Sequence, residues 1–122
     1  MVIFDTNAIL RYILQDNASM ADAVEKEIAL NNCLLPVEVI AEMVYVLSKV
    51  YKIERNTIAK TIEGIMDIDH IWVYYPNVVS SAISAYASTK LDFIDCLLIG
   101  YAKSEDHTIF TFDKELKKQL SF

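Results

Sequence analysis

Residues 2–14 read VIFDTNAILRYIL, and this stretch decides the fold. Val2-Ile3-Phe4 is a short apolar run that predicts a buried strand, and Asp5 ends it. From Thr6 to Leu14 the apolar residues recur at helical spacing, which predicts a helix directly after the strand. Strands that alternate with helices along a chain favour a parallel sheet with helical connections.

The alternation continues to the end of the chain. Three more strands are predicted, at residues 33–35, 71–75 and 108–111. After the first helix, further helices are predicted over about 20–31, from 37 to about 51, and over 54–68, 78–89, 93–103 and 114–119. The sequence therefore predicts one layered α/β domain over residues 1–122.

Composition narrows the class of protein. The chain has 122 residues, 54% of them hydrophobic, with only two glycines and two prolines, so it can bury a core and is not a disordered segment. Its net charge of −6 argues against a DNA-binding module that works through a basic patch. Bound cations can reverse the charge of a carboxylate pocket, so a nuclease stays possible. Cys33 and Cys96 are expected to be reduced and buried.

Acidic residues lie just beyond two of the predicted strands. Asp5 follows the first strand and Asp113 follows the fourth. Sites in parallel α/β sheets form beyond the carboxyl ends of the strands, where the strand order reverses. The two carboxylates face each other if these two strands are neighbours. Each aspartate also stands where a helix begins, and the alternative interpretation is that it only caps that helix.

Further acidic residues lie on predicted helices. Glu42 stands beside the apolar stripe of the third helix, where a carboxylate is uncommon unless it is paired or coordinated. The alternative interpretation is that Glu42 is a solvated residue at the edge of the stripe. Glu38, one turn earlier, is the other candidate for the acidic site residue on this helix. Asp92 and Asp95 stand three residues apart at a helix start and can point at one cation. Alternatively Asp92 caps the helix and Asp95 interacts with the helix dipole.

The joint placement of these acids predicts an oxygen-rich pocket. Hard cations such as Mg²⁺ and Mn²⁺ select such pockets. Carboxylates packed together repel one another unless a proton or a cation neutralises them. Thr6, Asn7 and Thr111 are expected to support the site, the first two as helix cap or hydrogen-bond donor and the last beside a bound water or carboxylate. The predicted site consists of Asp5, Glu42, Asp95 and Asp113.

Four short segments together resemble the PIN-domain ribonucleases, and within them the VapC-type toxins of bacterial and archaeal toxin–antitoxin pairs. In chain order they are VIFDTN at 2–7, VIAEM at 39–43, LDFIDCL at 91–97 and TFDK at 111–114. Each segment is weak alone, but all four in this order and at these separations are fairly specific. The resemblance covers nearly the full length of the chain.

The resemblance implies a three-layer α/β/α domain whose parallel sheet has four or five short strands in the order 3-2-1-4(-5), the last short or missing. It implies an endoribonuclease that uses one or two Mg²⁺ or Mn²⁺ ions and leaves a 5′-phosphate and a 3′-hydroxyl. Asp92 matches a frequent extra acid and Thr111 a supporting hydroxyl. The family's acidic quartet is matched by Asp5, Glu42, Asp95 and Asp113.

The resemblance also implies partners. These are an RNA substrate, an antitoxin that inserts a peptide, often with a basic residue, into the acidic groove, and a second copy of the chain. Surplus apolar residues on the third and fifth predicted helices are available for such a homodimer. The most apolar stretch, residues 34–50, contains charged side chains and does not read as a membrane span, so a cytoplasmic protein is expected.

Three other classes of protein are alternatives to a nuclease. A binding module that keeps the acids but is non-catalytic, or is masked by its partner, stays open as the alternative function. A phosphoacceptor receiver domain needs an acid after the third strand, where this chain has Tyr75-Pro76. A phosphatase of the Asp-x-Asp type is disfavoured because the residue two after Asp5 is Asn7.

Overall fold

The computed structural model describes residues 1–121, which form three strands and seven helices. The strands are β1 (Val2–Ile3), β2 (Cys33–Leu35) and β3 (Ile71–Val73). The helices are α1 (Thr6–Leu14), α2 (Ala18–Leu30), α3 (Val37–Lys49), α4 (Arg55–Met66), α5 (Pro76–Ser88), α6 (Phe93–Ser104) and α7 (Lys114–Gln119). The predicted α/β class is confirmed.

The three strands form one parallel sheet in the order β1-β2-β3, so β2 lies in the middle. Val2 pairs with Cys33, and Cys33 pairs in turn with Ile71. Each pair of neighbouring strands is connected by two helices, because parallel strands need a long crossover. The predicted order 3-2-1 is confirmed, and within residues 1–121 the outer edge of β1 has no partner strand.

The fourth strand predicted at residues 108–111 is wrong. This segment belongs to neither a helix nor a strand, and Phe110 and Phe112 are 86% and 84% exposed. A strand is stabilised by packing against its neighbours more than by intrinsic backbone preference. Here the only neighbour available would be β1, which is two residues long and offers few ladder hydrogen bonds. The two phenylalanine rings contact each other instead, with their centroids 5.3 Å apart.

The helices bury the faces that their apolar spacing predicts. On α3, Ile40, Val44 and Leu47 are buried, and the helix ends at Lys49. Tyr51, which the predicted stripe includes, therefore lies beyond the helix and is 41% exposed. The two cysteines are free and buried, as expected. Among the described residues, no helix combines the length and the apolar character that crossing a bilayer requires.

The closest helix packing brings α5 against α6. Gly100 on α6 lies against the backbone of Val78 on α5, and a β-carbon at this glycine would collide with the Val78 carbonyl oxygen. Pro76 occupies the first turn of α5, where its missing N–H costs nothing. This contact fixes α6, which carries Asp92 at its N-cap position and Asp95 in its first turn.

Candidate active site

Asp5 connects β1 to α1 and caps the helix. Its Oδ1 accepts a hydrogen bond of 2.8 Å from the backbone N–H of Ala8. The prediction that Thr6 or Asn7 would serve as the cap is wrong, since neither side chain makes a hydrogen bond within residues 1–121. The Asp5 side chain is exposed, and its second oxygen makes no hydrogen bond to a described residue. Capping and a second role at Asp5 are therefore compatible.

Asp113 repeats this arrangement at the start of α7. Its Oδ1 accepts a hydrogen bond of 2.8 Å from the backbone N–H of Leu116. The Thr111 hydroxyl accepts a hydrogen bond of 3.0 Å from the backbone N–H of Asp113. The Thr111 hydroxyl, which is predicted to support the site, therefore stabilises the turn that holds Asp113.

Asp92 and Asp95 lie at the start of α6. Asp92 occupies the N-cap position, but its side chain makes no capping hydrogen bond, so the capping alternative fails for its carboxylate. Asp95 is half-buried in the first turn. Burial raises the pKa of Asp95, and the nearby carboxylates of Asp113 and Asp92 raise it further. Both neighbouring carboxylates disfavour the negative charge of Asp95, so these three acids share one electrostatic environment.

Glu42 lies in the middle of α3 with its side chain exposed. Its rival Glu38, in the first turn of the same helix, is exposed as well. Neither Glu42 nor Asp5 is among the charged groups that raise the pKa of Asp95. Electrostatically, the structure brings together Asp95, Asp113 and Asp92, and leaves the other two predicted acids outside this group.

The ligand set of the predicted metal site stays a prediction. Within residues 1–121, no three histidine, cysteine, aspartate or glutamate side chains converge closely enough to hold an ion. The chemistry of the donors nevertheless fits a hard cation. Like charges crowd the half-buried Asp95, and a divalent cation is the group that relieves such repulsion.

Arg55, which no local sequence pattern singles out, fixes the segment before α6. Its Nε donates a hydrogen bond of 2.8 Å to the carbonyl oxygen of Tyr86, and its Nη2 donates to the carbonyl oxygen of Leu91. Its Cζ lies 3.7 Å from the centre of the Tyr86 ring, a cation–π contact. Arg55 thereby ties the start of α4 to the residue that precedes Asp92. These partners lie 31 and 36 positions along the chain, so no local pattern could reveal them.

A cleft of about 370 Å³ opens beside these residues. One wall is α3, with Tyr45 and Lys49, and the opposite wall is the start of α6, with Asp92 and Ile94. Arg55 lines it between these walls. The cleft therefore carries acidic, basic and aromatic groups together.

Cys96 follows Asp95 directly but faces the core. Burial raises the pKa of its thiol to about 11, and Asp95 and Asp92 add to this rise, while Thr89 and Arg55 act in the opposite direction. A thiol with such a pKa stays protonated near neutral pH and is a poor nucleophile. Cys96 therefore packs rather than reacts.

Comparison with known proteins identifies the family to which this fold belongs. A family model described as the PIN domain matches residues 2–119, and the chain belongs to that family.

One curated relative is the VapC ribonuclease of Aquifex aeolicus (strain VF5). The two sequences are 33% identical over 85 residues, which is 69% of this chain and 63% of the relative. The match thus spans less than two thirds of the relative's length. No solved structure matches the chain.

Proposed function

We propose that this protein is a metal-dependent endoribonuclease and the toxin of a toxin–antitoxin pair. One observation carries the proposal: the half-buried Asp95 has its pKa raised by the carboxylates of Asp113 and Asp92. A half-buried acid whose pKa is raised by like charges is a candidate for a functional site. Membership of the PIN family and the similarity to a VapC ribonuclease support the assignment.

The residues that would hold Mg²⁺ or Mn²⁺ are Asp95 and Asp5 as primary ligands, with Glu42 and Asp113 beside them. When bound, such a cation supplies Lewis-acid activation of water and neutralises charge on a phosphodiester. The two capping aspartates can take part without giving up their helices, because each engages only Oδ1 with the backbone. Asp92 has both oxygens free of capping and adds negative charge to the same pocket.

The chain's own groups have distinct tasks in this proposal. Asp95 sits where burial strengthens its interaction with any charge that approaches. Thr111 holds the turn at Asp113, and Arg55 holds the segment before Asp92, so two of the acids are positioned by hydrogen bonds from elsewhere. Glu42, exposed on α3, would orient a water or add a ligand. The expected products carry a 5′-phosphate and a 3′-hydroxyl.

The proposal includes partners. We expect an antitoxin protein to cover the acidic groove, and a homodimer. For the dimer, Val50 at the C-terminal end of α3 is exposed, whereas the large apolar residues of α5 within the described chain are buried. The interface is therefore expected to involve α3 without the apolar residues of α5. Light scattering on the purified protein gives its oligomeric state, and analysis of any small protein that co-purifies with it tests for the antitoxin.

The decisive experiment is cleavage of a structured RNA by purified protein with Mg²⁺, with Mn²⁺ and with EDTA. Wild-type protein is compared with Asp5→Asn and Asp95→Asn. We expect metal-dependent cleavage by the wild type and at least a hundredfold loss in each variant, on the order of the effect of removing a key electrostatic group. Asp22→Asn, an exposed carboxylate on α2, is the matched control. Cleavage that persists in both Asp5→Asn and Asp95→Asn would contradict the proposal.

A further inference from the structure

One face of α3 carries three exposed side chains of different chemistry. Glu42, Tyr45 and Lys49 stand at i, i+3 and i+7, which places them in one row along the helix. Tyr45 is 63% exposed although it is a large aromatic residue. The row rises about 10 Å, from the candidate active-site residue at one end to a lysine at the other.

The cleft beside this row holds positive charge that the described part of the chain does not neutralise. Within residues 1–121 the salt bridges are Arg11–Asp16 and Lys118–Glu115, so neither Lys49 nor Arg55 is paired with a carboxylate. Two unpaired cations in one cleft stand out on a chain of net charge −6. They outnumber Asp92, the acid that lines the same cleft, so their local field favours an anion.

Arg55 is held ready for such an anion. Backbone carbonyls fix its Nε and Nη2, whereas its Nη1 makes no hydrogen bond to a described residue and is not buried. A planar guanidinium already fixed in place loses little entropy when it binds a phosphate oxygen. Contact with the Tyr86 ring holds the group in the lining of the cleft.

We propose that the cleft between α3 and the start of α6 is a subsite for single-stranded RNA, in which Lys49 and Arg55 contact a backbone phosphate and Tyr45 stacks on the adjacent base. This inference rests on the proposed function and adds to it the residues that bind the substrate beside the reacting phosphate. Aromatic side chains and a positively charged groove are the standard means of holding an unpaired strand.

The charges favour RNA over a peptide. A peptide that brings a basic residue would meet Lys49 and Arg55 at this end of the cleft, and like charges repel. An RNA strand carries its negative charges at regular intervals. One phosphate can lie against Lys49 and Arg55 while the next lies toward Asp92, where the cation of the proposed active site would offset the repulsion between phosphate and carboxylate.

Binding is tested on the Asp95→Asn background, so that the RNA stays intact. The probe is a fluorescently labelled single-stranded RNA of random sequence, titrated by anisotropy at several salt concentrations. Tyr45→Ala is expected to weaken binding roughly tenfold, the usual cost of losing one base–aromatic stack. Lys49→Ala is expected to lower the slope of log affinity against log salt by about 0.7, the value for one phosphate contact on a single strand.

Lys60→Ala is the matched control, because Lys60 is exposed on α4 and does not line the cleft. It should leave both readouts unchanged. Thermal unfolding checks that each variant is folded, and Tyr45 and Lys49 are both exposed enough for substitution to be tolerated.

The outcomes separate the subsite from the proposed function. If wild-type protein cleaves RNA, and the Tyr45→Ala and Lys49→Ala variants bind RNA with the same affinity as the Asp95→Asn background, only the subsite is overturned. If the background protein does not bind RNA and the wild type does not cleave it, both proposals fall. If Tyr45→Ala releases a co-purifying protein and leaves RNA affinity unchanged, the cleft belongs to that protein and the subsite is overturned.

Discussion

Arg55 and Tyr86 are joined twice: the guanidinium carbon lies 3.7 Å from the centre of the ring, and Nε donates to the Tyr86 backbone carbonyl at 2.8 Å. A third contact reaches the carbonyl of Leu91. One side chain at the start of α4 therefore holds both the end of α5 and the segment that leads into Asp92. The position of an acidic candidate residue depends on a residue far from it in sequence.

Replacing Arg55 should destabilise the protein. Arg55→Ala removes the donors to two carbonyls and the stacked cation, which we expect to lower the free energy of unfolding by about 2–3 kcal/mol. Arg55→Lys should recover only part of this, because an ammonium cannot reproduce the planar fork. Urea denaturation measures the loss, with Lys60→Ala as control. A loss no larger than that of the control would mean that these contacts do not hold the segment.

The two glycines of the chain should respond in opposite directions to alanine. At Gly100 the added β-carbon collides with the Val78 carbonyl, so Gly100→Ala should cost about 1–3 kcal/mol of stability. At Gly64 the β-carbon would meet nothing within 4 Å, so Gly64→Ala should gain up to about 1 kcal/mol from helix propensity. Thermal melts of the two variants give the comparison. Equal shifts for both would contradict the close packing of α5 on α6.

Asp95→Asn should stabilise the fold near neutral pH while it abolishes cleavage. The pKa of Asp95 is raised in the folded protein above the ordinary value of 3.8, so folding disfavours the charged form. The contribution of this group to stability therefore falls as pH rises through the raised pKa. The asparagine variant escapes this loss, and its advantage should shrink as pH is lowered toward 3.8.

Melting temperatures of wild type and Asp95→Asn across this acidic range provide the measurement. Asp22→Asn, exposed on α2, controls for the general loss of one negative charge. An advantage that stays constant with pH would show that titration of Asp95 is not its source.

Substitutions at Asp5 should distinguish its role as a helix cap from its role in metal-dependent cleavage. Asn is as good an N-cap as Asp, so Asp5→Asn should keep the hydrogen bond to Ala8 and change stability little. Asp5→Ala should lower the free energy of unfolding by about 1 kcal/mol. Both variants should lose metal-dependent cleavage. If only the alanine variant is inactive, Asp5 acts through the helix and not as a ligand.

Local signals predicted much of this fold. Asp5 and Asp113 cap their helices through side-chain hydrogen bonds because the relevant partners lie three residues away, within reach of a short pattern. The apolar spacing of α6 is also local, and the bounds of this helix differ from the prediction by one residue. Strand order came from the resemblance, since a parallel sheet brings together segments that no local pattern connects.

The errors have a common physical cause. Residues 108–111 have the β-branched and aromatic composition of a strand, but a strand needs a partner and a surface, and here both are missing. The electrostatic grouping of Asp95 with Asp113 is likewise a property of the folded chain. Sequence could name the acids, whereas only three-dimensional packing could say which of them share an environment.

The free edge of β1 bears on solubility. Unpaired strand edges are templates on which chains aggregate, and 54% of this sequence is hydrophobic. At two residues, however, β1 gives an incoming chain few backbone groups to bond, and such short edges are one way in which proteins prevent aggregation. The short length of β1, which leaves a fourth strand little to pair with, should therefore also help keep concentrated protein in solution.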